Sequence, residues 1–319
     1  MITLQHAYII GGFFFAALAL LSILDRTNAR RLRNAAFYAL LALSFWAGHA
    51  LGDLGNGLLA LGLVIIAVFG LGQGKPPTTT QEERRASAEE RGNALFLPAL
   101  IIPAVALAGT LIVQHTEWGG LIIQDQHKTL VSLVLGVLIA ITVLMVWLKP
   151  PLLAPLEEGR RLMDSVGWAA ILPQMLAALG AVFLAAGVGD QVGALFSQYI
   201  PLDTRTVAVA AYCIGMALFT ILMGNAFAAF PVMTAAIGLP FVINELGGDP
   251  ARVCAIGMLA GFCGTLMTPM AANFNVVPAN LLELPDRNAA LNGVIRAQIP
   301  TALPLLLANI VLMRFLAFP

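Results

Sequence analysis

The sequence predicts an all-α polytopic membrane protein of about eight to ten transmembrane segments, with a re-entrant hairpin and a discontinuous helix in its C-terminal half. Three observations predict it. Hydrophobic residues make up 59% of the 319 residues and charged residues only 11%, at a mean hydropathy of +0.88, whereas soluble domains carry about 25% charged residues. Apolar runs of spanning length recur along the chain, separated by short polar loops. Between Tyr212 and Leu284, glycine, proline and amide side chains interrupt those runs, and an amide in hydrocarbon is costly unless it is paired or lines a protein cavity.

Taken in order, the first apolar segment covers residues 5 to 24 and is followed by Asp25, Arg26, Arg30, Arg31 and Arg33. No positive region precedes it, so it reads as a spanning helix rather than a signal peptide. Its basic loop is expected in the cytoplasm and the N-terminus outside. A second segment, 32 to 50, leads to the turn Gly52-Asp53-Leu54-Gly55-Asn56, and a third, 56 to 73, returns. His49 and Asp53, four apart, read as an interfacial polar pair on one helix face. Residues 74 to 93 are the one distinctly water-soluble stretch. Pro76, Pro77 and three threonines argue against helix at its start, Glu82 to Arg91 suits a short surface helix, and Lys75, Arg84, Arg85 and Arg91 suit a second cytoplasmic loop.

The fourth segment, 94 to 113, carries Pro98 and Pro103 and is expected to kink early. His115, Glu117, Asp125 and His127 superficially resemble metal ligands, but their spacing matches no zinc geometry, and the stretch reads as an outer loop anchored by Trp118. The fifth segment, 129 to 148, is a clean Val/Leu/Ile run. The link 149 to 164 sets Lys149, Arg160 and Arg161 against Glu157, Glu158 and Asp164, again basic on the expected cytoplasmic side. The link reads as a boundary between residues 1 to 150, a scaffold or assembly region of conventional spans, and residues 165 to 319, where polar interruptions accumulate.

Beyond the link, segment six (166 to 187) contains Pro173 and Gln174, GDQVGALFSQYI reads as an interfacial helix, and segment seven (203 to 222) delivers the chain to Gly224-Asn225. Residues 226 to 243 either span again or return as the second arm of a re-entrant hairpin whose tip is Gly224-Asn225. Residues 251 to 284 read as one helix unwound near 264 to 269. The last segment, 294 to 316, holds Pro300, Pro304 and Asn309, with Arg314 snorkelling at its end.

Helices broken inside a membrane expose backbone N–H groups at one end, which attract a carboxylate, and carbonyls at the other, which can coordinate sodium. Gly224, Asn225, Gly264, Thr265, Thr268, Pro269, Asn273 and Asn275 are accordingly the candidate substrate- and ion-binding residues. Asn280 reads as interfacial packing. The competing reading is that these small and amide residues only mediate close helix contact.

Other classes have less support. The histidines His6, His49, His115 and His127 are scattered, no spacing pairs two carboxylates, and Cys213, Cys254 and Cys263 form no CxxC motif. An enzyme is not expected. No GxxxxGK[ST] motif occurs, which argues against an ATP-driven pump, and a net charge of zero argues against a nucleic-acid partner. No cofactor and no metal are expected beyond sodium or a proton as coupling ion.

At LMGNAFAAFPV and GFCGTLMTPMAANFNVVPANLL the chain resembles the ion transporter superfamily of secondary carriers, mainly over residues 165 to 318. Over its whole length, including SVGWAAILPQMLAALGAVFLAAGVG, it resembles more closely a family of membrane proteins assigned as one of two subunits of a 5-oxoproline (pyroglutamate) transporter. The resemblance implies inverted units, each with a hairpin and a broken helix, an elevator-like movement, and symport of a small carboxylate across the bacterial inner membrane. It places Gly224 and Asn225 at the hairpin tip and Gly264, Thr265, Thr268 and Pro269 in the unwound segment. Residues 1 to 150 hold no second such pair, so a second integral-membrane subunit is the expected source of the other half. A homodimer, a different small organic anion, or a structural subunit with no site of its own are the alternatives.

Overall fold

A computed structural model of the chain describes residues 2–75, 79–116, 123–282 and 287–318. The chain is helical and divides into two compact units, Met1–Gly167 and Trp168–Pro319. Among the described residues, eight helices are long and apolar enough to cross a membrane.

In the first unit, α1 (Leu4–Leu24) packs antiparallel on the first arm of α2 (Arg31–Val68). Trp46 Nε1–H donates to the Ile9 carbonyl at 3.3 Å, and the Phe15 and Phe45 rings stack 5.5 Å apart. Helix α2 is not straight. At Gly52 the backbone turns to φ 60°, ψ −172°, a conformation open in practice only to glycine. The chain doubles back there, so the segment after Val68 returns to where α2 began. Asn34 Nδ2 donates to the Gly72 carbonyl at 2.7 Å, Gly72 N–H donates to Asn34 Oδ1 at 2.9 Å, and an Arg33 guanidinium N–H meets the Phe69 carbonyl. The two expected segments, 32 to 50 and 56 to 73, are thus the arms of one hairpin, the second arm ending at Val68. His49 and Asp53 flank the reversal, so they do not share the helix face that their spacing suggested.

Helix α3 (Gln81–Arg91) is the expected surface helix. Its start is fixed by a reciprocal cap, with Glu83 N–H donating to Thr80 Oγ1 and Thr80 N–H to Glu83 Oε2. Pro76, Pro77, Glu117 and Trp118 lie outside the described residues. Helix α4 (Leu97–His115) has Pro98 in its first turn, where a missing N–H costs nothing, and packs on α5 (Lys128–Leu148). The His115 ring hydrogen-bonds the Leu111 carbonyl of its own helix at 3.0 Å. Gln124 N–H donates to the Ile2 carbonyl, which puts the N-terminus and the approach to α5 at one end of the unit. At the other end lie the α1–α2 loop, the segment after α2, and helix α6 (Ala154–Val166). The alternation that the arginine pattern implied therefore holds within this unit.

The boundary falls at the start of a short turn of 3₁₀ helix, Gly167–Ile171, which leads to α7 (Leu172–Ala185), where Pro173 lies in the first turn of the helix. In α8 (Val188–Tyr199), the expected interfacial helix, Gly189 and Gly193 lie against the backbone of Val232 and Ala236. Helix α9 (Arg205–Met223) turns at Gly224 into α10 (Ala226–Met233), which continues as a π-helical stretch, Thr234–Glu245. The arms pair antiparallel: Tyr212 OH lies 2.8 Å from Thr234 Oγ1, and Met233 covers Gly215. Each arm has the length of a membrane span, about 28 Å for α9 at 1.5 Å per residue, whereas a tip at the midplane needs arms of about half that length.

Helix α11 (Pro250–Leu266) starts with an Asp249 cap and runs parallel to α9, with Gly257 on Tyr212, Gly261 on Met216 and Gly264 on the Ala217 carbonyl. A break follows, then a π turn, Ala272–Val276, and α12 (Val277–Leu281). Helix α13 (Arg287–Leu316), which begins seven residues before the expected segment, runs back along α11. Gln298 Nε2 reaches the Phe274 carbonyl, Asn309 Nδ2 reaches Cys263 Sγ, and an Arg252 guanidinium N–H donates to the Leu316 carbonyl at 2.7 Å. The core between these helices is formed by Tyr212, Met216, Met233, Ile237 and Met313.

Candidate functional site

Because α9 and α11 are parallel, their C-terminal ends arrive side by side, and both helix breaks fall at one end of the second unit. Gly224 closes α9 in the left-handed conformation, φ 77°, and its N–H donates to the Thr220 carbonyl at 2.7 Å. Asn225 follows in extended geometry and caps α10, its Oδ1 accepting from Phe227 N–H at 2.8 Å. A Cβ on Gly224 would lie 2.7 Å from the Met270 carbonyl oxygen, so the tip rests directly on the second break.

That second break is shifted from its expected position. Helix α11 runs through Leu266, and the interruption covers residues 267 to 271. Gly264 and Thr265 are therefore helical. Gly264 serves close approach to the Ala217 carbonyl, and Thr265 bonds back through Oγ1 to the Phe262 carbonyl at 2.6 Å. Thr268 bridges the breaks, donating from Oγ1 to the Ile221 carbonyl at 3.0 Å and accepting from Met270 N–H. Pro269 is exposed, which suits a residue that has no N–H to satisfy.

Asn275 holds the interruption in shape. Its Nδ2 donates to the Thr265 carbonyl at 2.9 Å and the Thr268 carbonyl at 2.6 Å, binding the end of α11 to the segment beyond it. Asn275 is fully buried, and among the described residues its Oδ1 has no hydrogen-bond partner. Thr220 Oγ1, in the last turn of α9, is likewise buried without a partner, as is Gln298 Oε1 beside Phe274. Buried oxygens left unmatched are unusual in folded proteins and call for a donor or a cation. Asn273 is half-buried, and no hydrogen bond ties it into the cluster among the described residues.

The structure thus brings Gly224, Asn225, Thr268, Pro269 and Asn275 together, with Gly264 and Thr265 one turn behind. Two helices end there with outward-facing carbonyl dipoles, and two begin there with outward-facing N–H groups, an arrangement suited to ions of either sign. Sequence reasoning missed Thr220 and Gln298, which read as ordinary residues of apolar helices. It also missed an aromatic wall: Phe262 lies 6.0 Å from Phe227 and 5.7 Å from Phe274, ring centre to ring centre, spanning both breaks.

A second polar centre lies in the first unit. Arg160, 4% exposed, donates to Asp25 Oδ2 at 2.6 Å and to Glu157 Oε2 at 2.9 Å. Asp164 Oδ1 accepts from Tyr38 OH at 2.6 Å and Asn34 Nδ2 at 2.8 Å. Burial pushes the Asp25 carboxyl up, but hydrogen bonds from Thr27 and Arg160 outweigh it and hold the group below its ordinary value of 3.8. Nothing in the spacing of the loop charges foretold these pairings. Compared with known proteins, the chain matches over residues 5–318 a family model described as a protein of unknown function (DUF979). No curated protein and no solved structure matches it.

Proposed function

The chain belongs to this family of unknown function, and from that premise we propose that it is a subunit of an ion-coupled secondary transporter importing a small carboxylate, with 5-oxoproline the substrate suggested by resemblance. The observation that carries this reading is the meeting of two helix breaks around buried amide and hydroxyl groups, where Asn275 Oδ1 and Thr220 Oγ1 are unmatched. Irregular backbone in a membrane protein is tolerated where it is buried in protein or lines a cavity, and in secondary carriers such breaks hold the transported ions. In this reading Gly224, Asn225, Gly264, Thr265, Thr268, Pro269, Asn273 and Asn275 form or support the site. Carbonyl and amide oxygens receive the coupling sodium or proton, and N–H groups at the starts of α10 and the Ala272 turn receive the carboxylate. In this reading the hairpin of two span-length arms moves as one elevator-like element, and a second membrane subunit supplies the other half, in the bacterial inner membrane with the N-terminus outside.

The test is sodium- and pH-dependent uptake of labelled small acids, 5-oxoproline among them, into proteoliposomes holding this chain alone or with its partner. Uptake is expected only with both subunits, and to fall about tenfold or more in Asn275→Ala and Thr268→Ala at unchanged insertion. Uptake unaffected by either substitution would favour a structural subunit, a reading that the internal stapling by Asn275 also suits.

A further inference from the structure

The first unit contains a buried charge imbalance that the transport reading does not use. At its loop end, Asp25, Glu157 and Asp164 surround one guanidinium, Arg160. Arg160 is committed to Asp25 and Glu157. Asp164, one helical turn further along α6 and 6% exposed, has among the described residues two dipolar donors in hydrogen-bond contact, Tyr38 OH and Asn34 Nδ2.

The other charges at this end are occupied or at the surface. From α2, Arg30, Arg31 and Arg33 direct guanidinium N–H groups to the carbonyls of Leu71, Ile23 and Phe69. From α1, Arg26 is exposed, as is Lys75 in the segment after α2, and on α6 Arg161 pairs with Glu158. Asp164 thus carries the excess negative charge in a dry site, where a carboxylate is stable only while all its donors stay in place. Those donors come from the first arm of α2, and Asn34 also exchanges two hydrogen bonds with Gly72, so this carboxylate, directly and through Asn34, joins three stretches of chain: residues 34 to 38, the segment at Gly72, and α6.

We propose that Asp164 is a proton-binding site and that its occupancy sets whether α6 is fastened to the α2 hairpin. Ionised, the carboxylate holds Tyr38 and Asn34 through charge-assisted bonds, which are roughly twice as strong as neutral ones. Protonated, it loses that charge and turns one oxygen into a donor facing other donors, so the fastening loosens. Helix α6 is the last helix before the boundary at Gly167, so the switch acts on the segment that leads into the second unit. This proposal stands on the first unit alone and does not depend on transport.

Hydrogen exchange of the full-length protein in lipid nanodiscs, corrected for the intrinsic rate, tests it. Protection of residues 69 to 75 and 154 to 166 is expected to fall about tenfold or more between about pH 8 and about pH 5. An infrared band from a buried protonated carboxyl should grow over the same range. Asp164→Asn should show low, pH-independent protection and lack that band. Asp25 serves as the control: its carboxyl is held below 3.8, so the stability from its pairing is present above that value, is lost only as pH falls through the lowered value, and lies outside the range tested. Asp25→Asn should accordingly keep the pH response. A flat wild-type profile, absence of the infrared band, or a pH response retained in Asp164→Asn overturns the proposal. Should that variant fail to insert, the wild-type profile and band decide alone.

Discussion

Arg160 is the residue whose removal the fold tolerates least on electrostatic grounds. Its guanidinium answers Asp25 at 2.6 Å and Glu157 at 2.9 Å in a site from which water is largely excluded. Truncating one partner of a buried pair strands the others, which typically costs about 3–5 kcal/mol. Arg160→Ala is therefore expected to lower the thermal midpoint in detergent well below wild type, while Arg160→Lys, which keeps the charge but loses the planar fork, recovers only part of it. The sequence displayed every charge in this cluster but not its partnerships, because Asp25 and Arg160 lie 135 residues apart. Hydropathy tells which residues leave the lipid; it does not tell which loops meet once outside.

Among the elements, Gly52 and Gly224 separate two ways in which a glycine is required. Both have positive φ, but a Cβ at Gly52 would meet nothing within 4 Å, whereas at Gly224 it would strike the Met270 backbone. Gly52→Ala is expected to cost backbone strain alone, about 1–3 kcal/mol. Gly224→Ala adds a steric conflict and should cost more, with the difference read by chemical denaturation of the two variants side by side. The hairpin tip was legible because glycine followed by a capping amide is a strong local stop signal. The second break was misplaced by a few residues for an equally local reason. Gly264 and Thr265 look like helix breakers, yet one is a packing contact with α9 and the other satisfies its hydroxyl on its own helix. Packing glycines and breaking glycines carry the same letter. The unmatched oxygens of Thr220 and Gln298 were illegible because they depend on which neighbours three separate helices bring together.

For the whole molecule, the division after Gly167 makes a direct prediction. Every described hydrogen bond of the Arg160 and Asp164 cluster lies within residues 1 to 167. A fragment of those residues is expected to insert and to retain the exchange protection of 154 to 166 seen in the intact protein. A fragment that inserts without that protection would show that the second unit is needed to hold α6. Within the first unit the alternation of loops between its two ends was readable from arginines and spans alone, and so was the helical membrane class of the chain. The parallel course of α9 and α11 was not, since a hydropathy pattern fixes crossings and leaves neighbours open.

That parallel course has a consequence for biogenesis. The Gly224-Asn225 tip is completed early, but the groups that cover it, Thr268 and Met270, follow about 45 residues later, several seconds at ordinary rates of synthesis. Until α11 is threaded beside α9, the Ile221 carbonyl has no Thr268 hydroxyl to accept. The nascent hairpin is therefore an open client during that interval, a stage at which an insertion factor or a companion polypeptide could engage it.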